Sequence, residues 1–251
     1  MQSFIAHPYW QKVLSIKIAD RENHPVNLAV SLPAEKQAEF LTAIASGFYP
    51  ISYSSPMGFK RVAELTEYSE VREIATNIYE VELGLHPFIK GNWNTNILHC
   101  DQFKLTIASL IKNLKITLPR PDDFTINRKL DLRHADMVLA LAVCDVIEHT
   151  APAIINFVQD FVAQWQYLTG KPSSEINRTW LDEHNLTEGD ATEDQHVGMI
   201  ERMMKPYAEI VNSVAYMEAK SHYNQRCMEH LDNVYARLLQ LVEQPRQALA
   251  I

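Results

Sequence analysis

The chain has 251 residues, 47% of them hydrophobic and 22% charged, with a formal net charge of −8 at pH 7. That supplies enough apolar material for one large domain with a real core. The acidic balance, without any basic run, argues against a nucleic-acid partner, and only 7 glycines are too few for the turns of a Rossmann or barrel fold.

Cys100, Cys144 and Cys227 are far apart and form no C-x-x-C pair. This reads as a reduced, cytoplasmic chain without a thiolate zinc site. No charged segment followed by an apolar run marks a signal peptide at the start. The longest uninterrupted apolar runs, such as Met137 to Cys144, are too short to span a bilayer, so no membrane span is expected.

In chain order, Ser3 to about Ile18 reads as a first short helix, with Pro8 in its opening turn. Asp20 to Val30 reads as a loop. Ser31-Leu-Pro-Ala-Glu starts a helix that reaches Ile44 and stops near Gly47. Tyr49 to Pro56 is an aromatic, proline-bearing connector whose two tyrosines line a pocket or cover a core edge. Residues 1–56 would pack on the main bundle. Gly58 to Leu83 is a long amphipathic helix. Glu82 shares a face with Ile74, Ala75 and Ile78 and points inward, whereas Glu80 points outward. Gly84 ends the helix.

His86 follows, then a break at Gly91-Asn92. A new helix begins near Asn94 or Thr95, and His99 leads its apolar row of Phe103, Ile107, Leu110 and Leu114. Either His86 or His99 could face inward. Pro119 to Thr125 is a loop too short to link two domains. Asp131 to about Leu168 is the most apolar helix. Glu148 looks inward from it, Asp145 is a less buried rival, and Pro152 is expected to kink it. After the turn at Gly170, a helix capped by Ser173 or Ser174 carries Ile176, Trp180, Leu181 and His184 on one face. Leu186 to Asp190 breaks it, and Thr192 restarts a final helix through a capping box. Pro245 ends that helix and leaves 245–251 as a loose tail. With no credible strand pair, the fold class is all-α: about seven helices in a single domain, 1–251.

The stretch from Glu183 to Met204 concentrates the chemistry. Glu193 and His196 form an E-x-x-H, which on a helix presents a carboxylate and an imidazole on one face. Met199, Ile200, Met203, Met204 and Tyr207 continue that face. The inward polar set is then Glu82, His86 or His99, Glu148, His184, one or two of Glu188, Asp190 and Glu193, and His196. Carboxylate and imidazole donors without thiolate suit iron or manganese. The same residues also fit a structural reading, in which the inward carboxylates pair with Arg133, Arg178 or Arg202.

The order of these motifs resembles the heme-oxygenase-like di-iron oxidases. It comprises Glu82-Leu83-Gly84 after a long helix, a histidine opening the next helix, the lone Glu148 in an apolar helix, and His184 and His196 bracketing a carboxylate. That superfamily includes TenA-like and PQQ-synthesis proteins. The chain looks most like cyanobacterial proteins grouped with the Chlamydia protein associating with death domains. The resemblance covers about Gly58 to Met204. It implies a TenA-like bundle holding two ferrous ions per chain, with O2 as co-substrate and Glu82, Glu148, His184 and His196 as ligands. The early histidine is His99 or His86. The two late histidines lie further apart than the family's H-x-x-x-D/E-x-x-H, so the carboxylate between them is Glu188 or Glu193. The implied activity is C–H abstraction leading to desaturation or C–C cleavage of a small apolar molecule, with fatty acids or fatty aldehydes favoured. A metal-free TenA-like hydrolase would need Cys144 as nucleophile, and a non-catalytic helical interaction protein is the third reading. A homodimer is one assembly such a bundle could form.

Overall fold

A computed structural model describes residues 17–85, 97–119, 131–184 and 192–249, with backbone alone at 192–196 and 244–249. The described chain is helical, with no strand among the described residues. Its helices are α1 (Pro25–Ala29), α2 (Ala34–Leu65), α3 (Ser69–Glu82), α4 (His99–Ala108), α5 (Met137–Thr169), α6 (Thr179–Glu183), α7 (Thr192–Met204), α8 (Ala208–Val211) and α9 (Val214–Leu249). The two long helices α2 and α5 pack on each other and carry most of the rest. α3, α4 and α9 lie against α2, while α7, α9 and α1 lie against α5.

The expected loop at 20–30 contains α1. His24 caps it, its Nδ1 accepting from the Val26 amide at 3.3 Å, and Pro25 fits the first turn. Gln164 ties α1 to α5 by donating to Asn27 at 2.9 Å. The stretch proposed as a first helix lies outside the described residues, apart from a single 3-10 turn at Ile18–Asp20.

The largest departure from expectation is α2. It does not stop near Gly47, and the supposed connector from Tyr49 to Pro56 is helical throughout. A proline inside a helix costs about 3 kcal/mol, and α2 carries two, Pro50 and Pro56. Phe48, Ile51, Phe59 and Val62 are all buried on the same stretch. At roughly 1.5–3 kcal/mol for each such side chain, their burial outweighs both prolines. Gly47 is a contact point rather than a stop signal: a Cβ there would lie 2.6 Å from the Val234 side chain of α9. The Gly47 carbonyl accepts from His230 Nε2 of the same helix at 2.8 Å.

The helix expected from Gly58 to Leu83 is two helices. Thr66 is extended and buried, and its hydroxyl pairs with the Tyr207 hydroxyl. The Tyr68 amide donates to the same Thr66 oxygen at 3.2 Å. That half-buried hydroxyl bond holds the break, and no glycine or proline signals it in the sequence. At the far end Gly84 adopts φ 71° and closes α3 with amide bonds from Gly84 to Val81 and Leu85 to Glu80, the left-handed cap that glycine permits.

α4 starts at His99 with Leu98 as its cap residue, later than Asn94 or Thr95. α5 starts at Met137 rather than Asp131. Asp136 caps it through the Leu139 amide, while Asp131 is left-handed at φ 30°. α5 runs on through Pro152. It is long and apolar enough to cross a membrane, and 61% of its most apolar window is buried inside the bundle. The last helix is interrupted at Lys205–Ser213 by a 3-10 turn and by α8. α9 then passes through Pro245 to Leu249, so the tail expected to be loose from 245 is helical to 249.

Two apolar clusters result. One gathers Phe40, Ile44, Phe48, Phe161 and Trp165 around α2 and α5. The other holds Phe59, Val62, Ile74, Ile78, Leu141 and Met203 where α3 and α7 meet them. The methionine and tyrosine stripe of α7 belongs to this second cluster, with Met199, Met204 and Tyr207 packed against it. Those residues are core and do not line the cavity described next.

Candidate metal centre

A cavity of about 70 Å³ opens between α2, α4, α5 and α6. Glu82, His99, Glu148 and His184 line it together. Four of the residues singled out in the sequence therefore come from four separate segments to one place. The remaining wall is chiefly apolar, with Phe48, Ile51, Phe103, Ile147, Ile154 and Trp180 among its residues. No lysine or arginine lines it among the described residues.

Each polar side chain is positioned by a local feature. Glu82 is the last residue of α3, immediately before the turn at Gly84. A Cβ on Gly84 would lie 2.3 Å from the Ile97 carbonyl oxygen, so the end of α3 sits directly against the entry to α4. That contact brings Glu82 Oε2 within 3.0 Å of His99 Nδ1. Glu148 sits mid-way along α5, 2% exposed, and accepts from Ser55 Oγ of α2 at 3.1 Å. His184 ends α6. Its Nδ1 donates to the Trp180 carbonyl at 2.6 Å, and its own carbonyl accepts from Gln159 at 2.7 Å. With the proton on Nδ1, Nε2 is the nitrogen through which His184 would ligate a metal.

Sequence reasoning missed Glu183. In the sequence it marks only the edge of the late motif, yet it is buried, and its Oε2 lies 3.2 Å from His99 Nε2. His99, Glu183 and His184 each offer one ligand atom, and these atoms lie within 4.8 Å of one another. A usable signal was the adjacency of Glu183 to a histidine on the apolar face of Trp180 and Leu181. The helical periodicity alone pointed elsewhere, because α6 is a single short helix ending at that residue. Ser55 was also missed, since the stretch around it read as a connector.

His99 is the hub. Its ring stacks on His184, centroids 4.5 Å apart and planes 6° from parallel. Trp180 covers the other imidazole at 4.3 Å. Burial works against a charge on His99, but Glu82 and Glu183 outweigh it and raise its affinity for a proton well above the ordinary histidine range. A neutral imidazole carries one N–H, so it cannot donate to carboxylates at both nitrogens. Either a second proton or a cation in its place satisfies that arrangement.

Asp145, the rival of Glu148, faces another way. Both are buried, but Asp145 accepts from Tyr216 and Lys220 of α9 and from His149. Burial opposes its charge, and hydrogen bonds from His149, Lys220 and Tyr216 more than compensate, bringing its pKa down to about 2. Asp145 thus ties α5 to α9, and Glu148 alone of the pair reaches the cavity. Arg133 pairs with Asp131 and Arg178 with Asp182.

Cys144 lies against Gly58, where a Cβ would be 3.0 Å from its sulfur, and it is not among the residues lining the cavity. Burial, then the charge of Glu148, pushes its thiol well above the ordinary range. Burial likewise lifts Cys100 and Cys227 to about 12. Tyr49, which could line a pocket or cover a core edge, is buried in the core, does not line this cavity, and donates to Asp101 at 3.0 Å.

His86 and Glu188 lie outside the described residues, and so do the side chains of Glu193 and His196, although Thr192 does begin a helix as expected. The chemistry of the described donors fits a divalent cation. Buried carboxylates and imidazoles face one another across a chiefly apolar wall, where bare charge is costly, and no thiolate is among them.

No protein-family model matches the chain, no curated protein matches it, and no solved structure matches it.

Proposed function

We propose that the chain is a metal-dependent oxidase whose non-heme iron centre, two ferrous ions per chain, activates O2 against a small apolar substrate. The observation that carries this reading is the convergence of the His99, Glu183 and His184 ligand atoms within 4.8 Å, at a cavity that Glu82 and Glu148 also line. Two imidazoles and carboxylates without thiolate are the donor set that non-heme iron takes. Bound ferrous iron supplies the electrons that reduce O2.

The chain's own residues divide the remaining work. His99, Glu183, His184 and Glu148 would hold the metal. Glu82, accepting from His99 Nδ1, orients that ring in the way carboxylates commonly orient metal-bound histidines. Ser55 fixes one oxygen of Glu148, and the Trp180 carbonyl fixes the tautomer of His184. Phe48, Phe103 and the isoleucines exclude water and hold an apolar substrate beside the donors. The sequence resemblance also makes Glu82 itself a ligand, and it adds Glu188 or Glu193, His196 and, in place of His99, His86. The reaction class is oxidation of a C–H bond.

Anaerobic loading with ferrous iron tests this. About two irons per chain are expected, followed by a transient visible absorption on mixing with O2. His184→Ala and Glu183→Gln should both lower the iron count. A chain that binds no iron would overturn the reading.

A second reading rests on the Glu82–His99–Glu183 contacts themselves. A protonated His99 between two carboxylates is a self-sufficient buried ion triplet, and such a triplet can be purely structural. It predicts that Glu183→Gln lowers stability while iron is never bound. Cys144, buried and away from the cavity, gives the hydrolase alternative no nucleophile.

A further inference from the structure

We propose that the cavity takes only a short apolar molecule, of fewer than six heavy atoms, and that Ile51 and Ile154 set this limit as a floor. The proposal rests on reading the cavity as the substrate site.

Size comes first. The cavity measures about 70 Å³. On the same measure a dry cavity of about 150 Å³ holds benzene, so this space takes fewer than six heavy atoms, and a bound metal would take part of it. A long acyl chain of the kind the sequence resemblance favours would overfill this space.

Position comes second. A separate void of only about 10 Å³ lies beyond the cavity, where Cys227, Met228 and Leu231 of α9 meet Thr150. Ile51 and Ile154 line both spaces. One comes from α2 and the other from α5, the two central helices. They therefore stand between the substrate space and unfilled volume behind it. Isoleucine is stiff at χ1, and Ile51 is buried at 4% exposure. Such a pair forms a fixed wall rather than a swinging gate.

The consequence is a chain-length cut-off. Each added methylene should strengthen binding roughly fourfold while it finds apolar wall, and the gain should stop where the floor is met. Replacing Ile154 by alanine removes three carbons and joins the two voids, which lengthens the space by about three or four methylenes. Ala151 also lines the cavity, so a leucine there should shorten it.

The test uses the full-length protein and the primary alcohols from ethanol to decanol, with dissociation constants read by calorimetry. Affinity should climb only over the shortest alcohols and level or fall before hexanol. Ile154→Ala should move the optimum to longer alcohols, and Ala151→Leu should move it to shorter ones. Wild-type affinity that rises unbroken to decanol would overturn the proposal, and so would an optimum that Ala151→Leu leaves unchanged, even where Ile154→Ala fails to fold. Iron loading is measured separately on the same preparations. A chain-length optimum without bound iron sinks the metal centre alone, and bound iron without an optimum sinks the floor alone.

Discussion

Ser55 and Glu148, 93 positions apart, meet in a buried 3.1 Å hydrogen bond across the two central helices. The serine belongs to a proline-containing stretch of α2, and the glutamate lies one turn before Pro152 in α5. The bond fixes the one α5 carboxylate that enters the cavity. Ser55→Ala should cost about 1–3 kcal/mol of stability, the usual consequence of removing one partner of a buried polar pair. It should also weaken ferrous binding by about 10–100-fold through loss of ligand orientation. Denaturant unfolding and metal titration of the variant check both. An unchanged metal affinity would assign Ser55 a purely structural role.

The triplet of Glu82, His99 and Glu183 gives a second prediction. Glu82→Gln removes one of the two carboxylates that face His99. Breaking a buried pair from one side costs about 3–5 kcal/mol, so this variant should unfold well before the wild type. If a metal occupies the site, saturating ferrous iron should restore part of that loss, because a ligand that binds only the native state stabilises it. Thermal unfolding with and without iron measures the difference. Identical shifts in variant and wild type would remove Glu82 from the centre.

Acid stability should show the Asp145 contacts. Its native pKa of about 2 is depressed below the ordinary carboxylate value. Its contribution is therefore present above about pH 4 and is lost as the pH falls through about 2. The full contribution is about 2 kcal/mol, at 1.36 kcal/mol per pKa unit. Lys220→Met should shrink that window and lower stability at neutral pH. Unfolding free energies between pH 5 and pH 2 provide the check, and a variant with the wild-type acid profile would contradict it.

His24 should act in a different window. Burial, reinforced by the Arg21 charge, lowers its pKa to about 4, and its neutral Nδ1 caps α1. Below about pH 6.5 the unfolded chain takes up a proton that the native histidine refuses. Stability should fall by about 3 kcal/mol between pH 6.5 and 4 from this residue. His24→Asn keeps a capping side chain and should flatten the profile in that range, as measured by urea unfolding at several pH values.

Gly84→Ala should disturb fold and site together. The residue sits at φ 71°, and an added Cβ would meet the Ile97 carbonyl oxygen at 2.3 Å. The left-handed backbone alone costs about 1–2 kcal/mol for a non-glycine residue, and the clash with rigid backbone adds to it. Because Glu82 and His99 flank this contact, iron binding should weaken along with stability. Normal iron binding in a folded variant would show that the two helix ends tolerate separation.

The all-helical class was legible in the sequence because long apolar periodicities and few glycines leave no other fold. Glu82, Glu148 and His184 could be picked out one by one, and His99 as one of two candidates beside His86, for the same reason: each interrupts an apolar face with a group that needs a partner. Local signals failed where long-range packing overrode them. Gly47 and Pro50 read as a helix end, yet Val234 and the buried row of α2 hold the helix together. Thr66 carries no breaking signal, yet its bond to Tyr207 accompanies the split of one expected helix into two. Glu183 and Ser55 could not be ranked from the chain alone. What makes them part of the site is proximity to His99 and Glu148, and only the packing of α2, α4, α5 and α6 creates it. Residue type and period are written in the sequence, whereas which buried charge faces which partner is decided by tertiary packing, because desolvation and pairing act over ångströms in space and not along the chain.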